Sequence, residues 1–435
     1  MFIFHCTNAV QRGLLFGLTS ASLLCMALTS HADDGGSFSD LITQGKVSGY
    51  LRTYEWSNNN FYNTNISNNI FVAGGKFKAE TGSIDGFSAG AAFYTSHTPQ
   101  STYNDPTRYD PTLGTNIDTL GESYLNYHND SVNMRVGRQA IDTPFANSAD
   151  YRMIPALYQG ETLNYAPSQD FSLTFGRISR YKSWTSATFD RTNNETAGPF
   201  QKSGPGFLNF PDLVTGGFWY AGAHDVLDMK SEKLSTQLWY YDFFDIAHLV
   251  FLDEKLTFNL QNDFKPYVGL QYANEQNEGA ALFGTINSTP YGLQVGADFG
   301  RNNLTAAAIH IPAHPGTFNN GGLASPYTDG YGSASLFTGN MLFPTEGLGS
   351  GNAVQLSGSH EFNEDWSSWA SYNQFNQTAS AFAPAQTINE YVVSVNYNAR
   401  GYFKGWKLCD MLGYATLAGN SNHFTQNRLM AQYGF

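Results

Sequence analysis

From Phe71 to Glu80 the chain alternates. Phe71, Ala73, Gly75, Phe77 and Ala79 fall on one side, and Val72, Gly74, Lys76, Lys78 and Glu80 on the other. A period of two belongs to a strand with one apolar and one polar face. The tight link Thr81-Gly82-Ser83-Ile84-Asp85-Gly86 follows, and then Phe87, Ala89, Ala91 and Phe93 share a face. The two runs therefore predict a hairpin with an apolar side and a lysine-bearing side. The last nine residues, NRLMAQYGF, alternate in the same way: Leu429, Ala431, Tyr433 and Phe435 against Arg428, Met430, Gln432 and Gly434.

Segments of this kind recur along the chain, each about ten residues long and rich in Tyr, Phe and Gly. Tight links resembling the first fall near Asn129-Asp130, Pro167-Ser168-Gln169, Asp228 to Glu232, Asn262-Asp263, Arg301-Asn302, Asn363 to Asp365 and Arg400 to Gly405. Between them lie longer polar stretches at 57–67, 97–118, 140–156, 182–213, 276–288, 313–350, 377–386 and 417–423, with a shorter break near Asp245. Short turns on one side and long loops on the other are the pattern of a transmembrane β-barrel of bacterial outer membranes. The expectation is all-β: an antiparallel barrel of about eighteen strands, its short turns periplasmic and its long loops external. An array of secreted soluble β-sandwiches is the alternative. In a barrel the first strand, placed at Lys46–Trp56, must pair with the last, placed at Phe424–Phe435, because hydrocarbon offers an open edge no partner.

Composition strengthens the barrel reading. Aromatic residues make up 15% of the chain and charged residues only 14%. Beyond the N-terminus no apolar run approaches the ~20 residues a membrane helix needs. At the N-terminus, Arg12, the apolar run Leu14–Leu28 and the small residues Ser30 and Ala32 predict a secretory signal peptide, residues 1–32, cleaved after Ala32. Residues 33–435 then form one transmembrane barrel domain exported through the periplasm to the outer membrane of a Gram-negative bacterium. The large Leu24 before Cys25 argues against a lipoprotein site, and cleavage leaves Cys409 as the single cysteine and no intramolecular disulfide. Removing one Arg leaves 22 basic residues (23 − 1) against 36 acidic ones, a net charge of −14. That balance argues against nucleic acid as a partner.

About eighteen strands enclose a lumen too wide for side chains alone to fill. What narrows it decides function. The third long loop, Asp142 to Pro155, is stiffened by Pro144 and Pro155 and carries Asp142, Asp150, Tyr151 and Arg152. Folded inward, it is the candidate pore constriction; folded outward, it is an ordinary surface loop. By parity Arg52, Lys76, Lys78, Arg135 and Arg428 occupy the polar face, as do Glu80, Glu122 and Asp298. Two readings of these charges stay open: a ladder of cations that passes a hydrated anion through successive weak contacts, or cations paired with interior acids.

The stretch Gly74-Gly75-Lys76-Phe77-Lys78-Ala79-Glu80-Thr81-Gly82, followed by Gly86 to Tyr94, resembles the second hairpin of the OprD family of Gram-negative outer-membrane porins. Met134-Arg135-Val136-Gly137-Arg138-Gln139 and Asp150-Tyr151-Arg152-Met153-Ile154-Pro155 resemble that family's fifth strand and constriction loop. The terminal Tyr433-Gly434-Phe435 also fits. The resemblance implies eighteen strands, an inward third loop with Arg152 at the constriction, and a basic ladder. It implies passive, partly selective diffusion of small anionic or zwitterionic solutes such as amino acids or small organic acids. It also implies that the barrel assembly machinery reads the terminal aromatic. Outer-membrane lipids and lipopolysaccharide are the surroundings such a barrel would meet, as a monomer or a trimer.

Other motifs carry less. Gly86-Phe87-Ser88-Ala89-Gly90 spells a hydrolase elbow, yet it opens a strand where the motif needs a strand-turn-helix. His310 and His314 share a strand face, but Pro312 excludes the helix that metal spacing would use. No catalytic residue, cofactor or metal is assigned, and the protein is read as not an enzyme. An outer-membrane barrel hydrolase, and an adhesin or structural surface protein acting through loops 182–213 and 313–350, are the rival functions.

Overall fold

The structure, a computed structural model, describes residues 40–60, 67–99, 113, 116–192, 213–260, 263–328, 335–339, 341–380, 384–417 and 423–435. The predicted signal peptide lies outside them, as do parts of several loops.

Eighteen antiparallel strands form a closed ring. They are β1 Lys46–Asn59, β2 Asn68–Glu80, β3 Phe87–His97, β4 Ile117–His128, β5 Val132–Gln139 and β6 Leu157–Tyr165. Next come β7 Phe171–Lys182, β8 Phe218–Asp228, β9 Glu232–Phe243, β10 Ala247–Phe258, β11 Phe264–Asn277 and β12 Tyr291–Phe299. The ring ends with β13 Asn302–Ile311, β14 Gly351–Glu361, β15 Trp366–Gln377, β16 Gln386–Asn398, β17 Trp406–Leu417 and β18 His423–Gly434. Each strand pairs with its neighbours in sequence, and β1 pairs with β18 from Tyr50↔Gly434 to Asn59↔Thr425. Reciprocal bonds between Gly49 and Phe435, 3.0 and 3.1 Å, complete the seam. One further two-residue strand, Asn287–Ser288, pairs with the end of β11 outside the ring. Short links at 81–86, 129–131, 166–170, 229–231, 259–263, 300–301, 362–365 and 399–405 occupy one end. All the remaining links occupy the other. The first turn owes its tightness to Gly86, whose φ of +84° an L side chain would resist.

Exposure separates the two faces. Leu51, Phe77, Phe93, Leu125, Leu293, Val393, Leu412 and Leu429 are exposed on the outer wall, while Tyr54, Trp56, Tyr94, Tyr220 and Tyr241 are buried inside. Aromatic pairs mark the short-turn rim: Trp366–Tyr397 at 4.7 Å and Trp406–Tyr433 at 5.4 Å between ring centroids. These are positions where one end of the ring can meet lipid and the other water.

The period of two breaks at Gly121. Between β3 and β4 the register jumps from Ala92↔Glu122 to Phe93↔Leu120, leaving Gly121 unpaired as a bulge. A Cβ there would lie 2.6 Å from both Leu157 Cδ1 and Tyr94 Cδ2. The bulge lets Leu120 and Leu125 both face outward although one is even-numbered and the other odd, and it turns Glu122 inward. We expect Leu429→Arg, which puts a cation on the outer wall between the two rims, to destabilise the barrel by ~2–4 kcal/mol in bilayer unfolding measurements.

Candidate functional site: the lumen constriction

The third loop folds into the lumen. After β5 it forms a small hairpin, Asp142–Thr143 against Ala146–Asn147. Ser148 fastens its base through bonds to Ile141, N–H to carbonyl at 2.8 Å and hydroxyl to carbonyl at 3.1 Å. At the hairpin tip Phe145 is wholly buried, packed edge-on against Tyr241 at 5.8 Å and Phe251 at 5.2 Å, rings carried by β9 and β10. At the other end of the loop Met153 and Ile154 are buried with Tyr54, Trp56, Ile70, Val72 and Tyr94 on β1–β3. The loop is thus anchored on two separated walls. Burying Phe145 and Met153 rather than exposing them contributes about 1.5–3 kcal/mol each.

That crossing brings the predicted charges together. Arg52 on β1 donates to both Asp150 oxygens, at 2.7 and 3.1 Å, and to Gln432 on β18 at 2.9 Å. It also donates to the Arg152 carbonyl. The Arg152 guanidinium lies 4.3 Å from the Trp56 ring centre and 4.9 Å from that of Trp184. Arg428 meets Trp56 at the same distance, 4.3 Å, and Tyr151 at 5.9 Å. Stacking engages the face of each planar guanidinium, whereas hydrogen bonds leave from its edge, so the rings fix orientation. Seam register places Arg428 opposite Trp56 and Arg52 opposite Gln432, so the two arginines sit on opposite sides of the seam, offset along it.

The remaining residues follow two patterns. Lys76 and Lys78 face inward but are ion-paired: Lys76 to Glu122 at 2.6 Å, Lys78 to Glu80 at 3.1 Å and to Glu122 at 3.7 Å. Arg135 lies over the Tyr124 ring at 4.0 Å and donates to Asn126 at 3.3 Å. Arg52, Lys76 and Lys78 are thus paired with interior acids, whereas Arg135, Arg152 and Arg428 lie over aromatic rings. Asp142 serves the hairpin instead, its carboxylate accepting from the Ser148 N–H at 3.3 Å. Among the described residues no ion pair or hydrogen bond joins it to the arginines. Ser88 lies within β3 opposite Asn126, with no helix after it. His310 pairs with Asn352 at 2.8 Å, and His314 with Asn287 and Thr289. No group of three His, Cys, Asp or Glu able to hold a metal occurs among the described residues.

Sequence reasoning missed a second inward segment. Loop 313–350 carries the rival reading of a partner-binding surface loop, yet its residues 335–339 and 341–350 lie in the lumen, held by side chains from separate strands. Glu390 on β16 accepts the Leu342 and Phe343 N–H groups at 2.7 and 3.0 Å. Gln271 on β11 donates to the Ser335 carbonyl at 3.0 Å and accepts from Phe337 N–H at 2.8 Å. Asn373 donates to Thr338 at 2.8 Å, Gln355 to Gly339 at 3.1 Å and Arg428 to Met341 at 3.3 Å. Polar residues on the inward faces of β11, β14, β15, β16 and β18 are the signal that existed, but alternation alone gives them no partner. Arg428 therefore joins the two inward loops, touching Tyr151 of one and Met341 of the other.

The comparisons with known proteins agree with this geometry. Residues 128–312 match the family model described as outer membrane porin, OprD family. Over that segment the chain is similar to OprD-family outer membrane porins. The resembling strand and constriction loop, 134–155, lie inside the match, and the resembling hairpin at 74–94 lies outside it. No curated protein matches the chain in sequence. Among solved structures the barrel is similar to OccK9 (OpdG) of Pseudomonas aeruginosa, with a TM-score of 0.75 and 15% identity over 91% of this chain and 99% of that one. It is also similar to OpdK with vanillate from the same organism, 0.71 and 16% over 90% and 99%. OccK2 (OpdF) in complex with glucuronate, again from Pseudomonas aeruginosa, gives 0.69 and 15% over 90% and 98%. The family match and the barrel fold together support an integral outer-membrane channel for small solutes.

Glu390→Ala leaves two buried N–H groups without their acceptor, at about 1–3 kcal/mol each. In single-channel recordings we expect larger and noisier conductance steps than wild type, with Glu390→Gln intermediate; identical traces for all three would show that segment 335–350 does not narrow the pore.

Proposed function

We propose that the protein gives small carboxylate-bearing solutes passive, partly selective passage across the outer membrane of a Gram-negative bacterium. Residues 1–32 act as its export signal. The supporting observation is the meeting of Arg152 and Arg428 around Trp56 and Tyr151, with Arg52 bonded to Asp150 and to the Arg152 carbonyl, where the third loop reaches the seam wall. A guanidinium edge matches a carboxylate in geometry as well as charge. Three of them in sequence, one already engaged by Asp150, offer contacts that attract an anion without trapping it. The aromatic rings beside them suit solutes that carry a planar or apolar body. Vanillate and glucuronate, bound in OpdK and OccK2, are both carboxylates.

The barrel assembly machinery inserts the barrel by reading the closing strand, and outer-membrane lipid and lipopolysaccharide surround its apolar belt. Asp142, Asp150, Tyr151 and Arg152 contribute the loop side of the constriction, and Arg52, Lys76, Lys78, Arg135 and Arg428 the basic wall.

Purified protein in planar bilayers tests this reading. Conductance steps blocked by benzoate or glucuronate support it; silence together with esterase activity would replace it with a barrel hydrolase. Arg152→Ala should shift the reversal potential in a salt gradient toward cations. An unchanged potential removes Arg152 from the selective path.

A further inference from the structure

Between the arginine cluster and the short-turn rim lies a second charged group. In the β1–β2 register Arg52 stands opposite Gly74, while Lys76 and Lys78 lie two and four residues further toward the turn. Both lysines converge on one carboxylate, that of Glu122, at 2.6 and 3.7 Å. The Tyr94 hydroxyl donates to the same carboxylate at 2.6 Å. Glu122 is buried, only 2% exposed, whereas the lysine side chains retain 16–21% exposure. The carboxylate therefore sits behind the ammonium groups, which are nearer the water of the lumen. Glu80 adds a second acid, bound to Lys78 at 3.1 Å and to the Tyr124 hydroxyl at 2.6 Å.

We propose that Glu122 is a selectivity-determining residue that mutes the anion attraction of this stretch and so lets carboxylates leave. The inference deepens the reading of the protein as a carboxylate-passing channel and rests on it. Lys76, Lys78 and Arg135 supply three positive charges, and Glu80 and Glu122 two negative ones, which leaves a net +1. A solute anion arriving from the arginines meets lysines already engaged by a fixed carboxylate that cannot diffuse away. Its contacts there are weaker than the three cations of this stretch alone would suggest. Conduction needs this, because an unbroken ladder of unpaired cations would hold an anion too long. Glu122 faces the lysines because the bulge at Gly121 turns it inward, so the fold specifically builds the counter-charge.

The test uses the full-length protein in planar bilayers. Glu122→Gln keeps the shape and a carbonyl acceptor for Tyr94 while removing the charge. We expect its reversal potential in a KCl gradient to shift toward anions, and benzoate blocks to last several-fold longer than in wild type. Adding Lys76→Met to Glu122→Gln restores the net charge and should return both readings close to wild type. A Glu122→Gln channel with unchanged selectivity and dwell time overturns the proposal. So does a shift that persists undiminished in the double variant, which would assign it to shape rather than charge. If Glu122→Gln does not insert, Lys76→Met alone should shift selectivity toward cations, and its failure to do so is equally decisive. Wild-type channels that do not conduct, or that ignore benzoate, would instead defeat the channel or carboxylate reading itself.

Discussion

Every backbone N–H and C=O at membrane depth must find a partner inside the protein, because hydrocarbon offers none. The rest of this structure follows from that demand. It requires the β1–β18 seam, running from Tyr50↔Gly434 to Asn59↔Thr425, since an open sheet would expose two unpaired edges. Closure of eighteen strands in turn creates a lumen wider than its side chains can fill. The seam also fixes which residues face each other across it, and so sets Arg428 against Trp56.

The lumen is narrowed by chain rather than by side chains alone, and each inward segment meets the same demand in its own way. The third loop forms a hairpin of its own and buries Phe145 and Met153 on separate walls. Segment 335–350 borrows its partners, using Glu390, Gln271, Asn373, Gln355 and Arg428 as acceptors and donors for its backbone. Polar side chains on the inner wall thus have two jobs. Some line the lumen, and others hold the loops that narrow it.

The charges divide along the same line. Arg152 and Arg428 lie where aromatic rings can stack on their faces, which fixes their orientation. Lysines, compact point charges without that geometry, lie where Glu80 and Glu122 can reach them. If Glu122 mutes the lysines as proposed, selectivity depends on the sum of cations and counter-ions along the path, not on the number of cations.

Alternation settled the architecture from the sequence: Leu429 against Arg428, and Phe77 against Lys76, already give strand, lipid face and lumen face, since the period of a strand is a local property. The spacing of short and long links gave the strand number for the same reason, and Pro144 and Pro155 with their enclosed charges marked the inward loop. Three things needed the folded chain. The Gly121 bulge shifts the parity of β4, and a bulge is decided by what packs against it, here Leu157 and Tyr94. The anchoring of 335–350 joins residues tens of positions apart, such as Leu342 and Glu390, for which a single sequence holds no signal. Pairing of Lys76 with Glu122, 46 positions away, arises only when β2, β3 and β4 lie side by side. Local period writes the barrel into the sequence, whereas the charge of its passage is set by distances that only closure of the sheet defines.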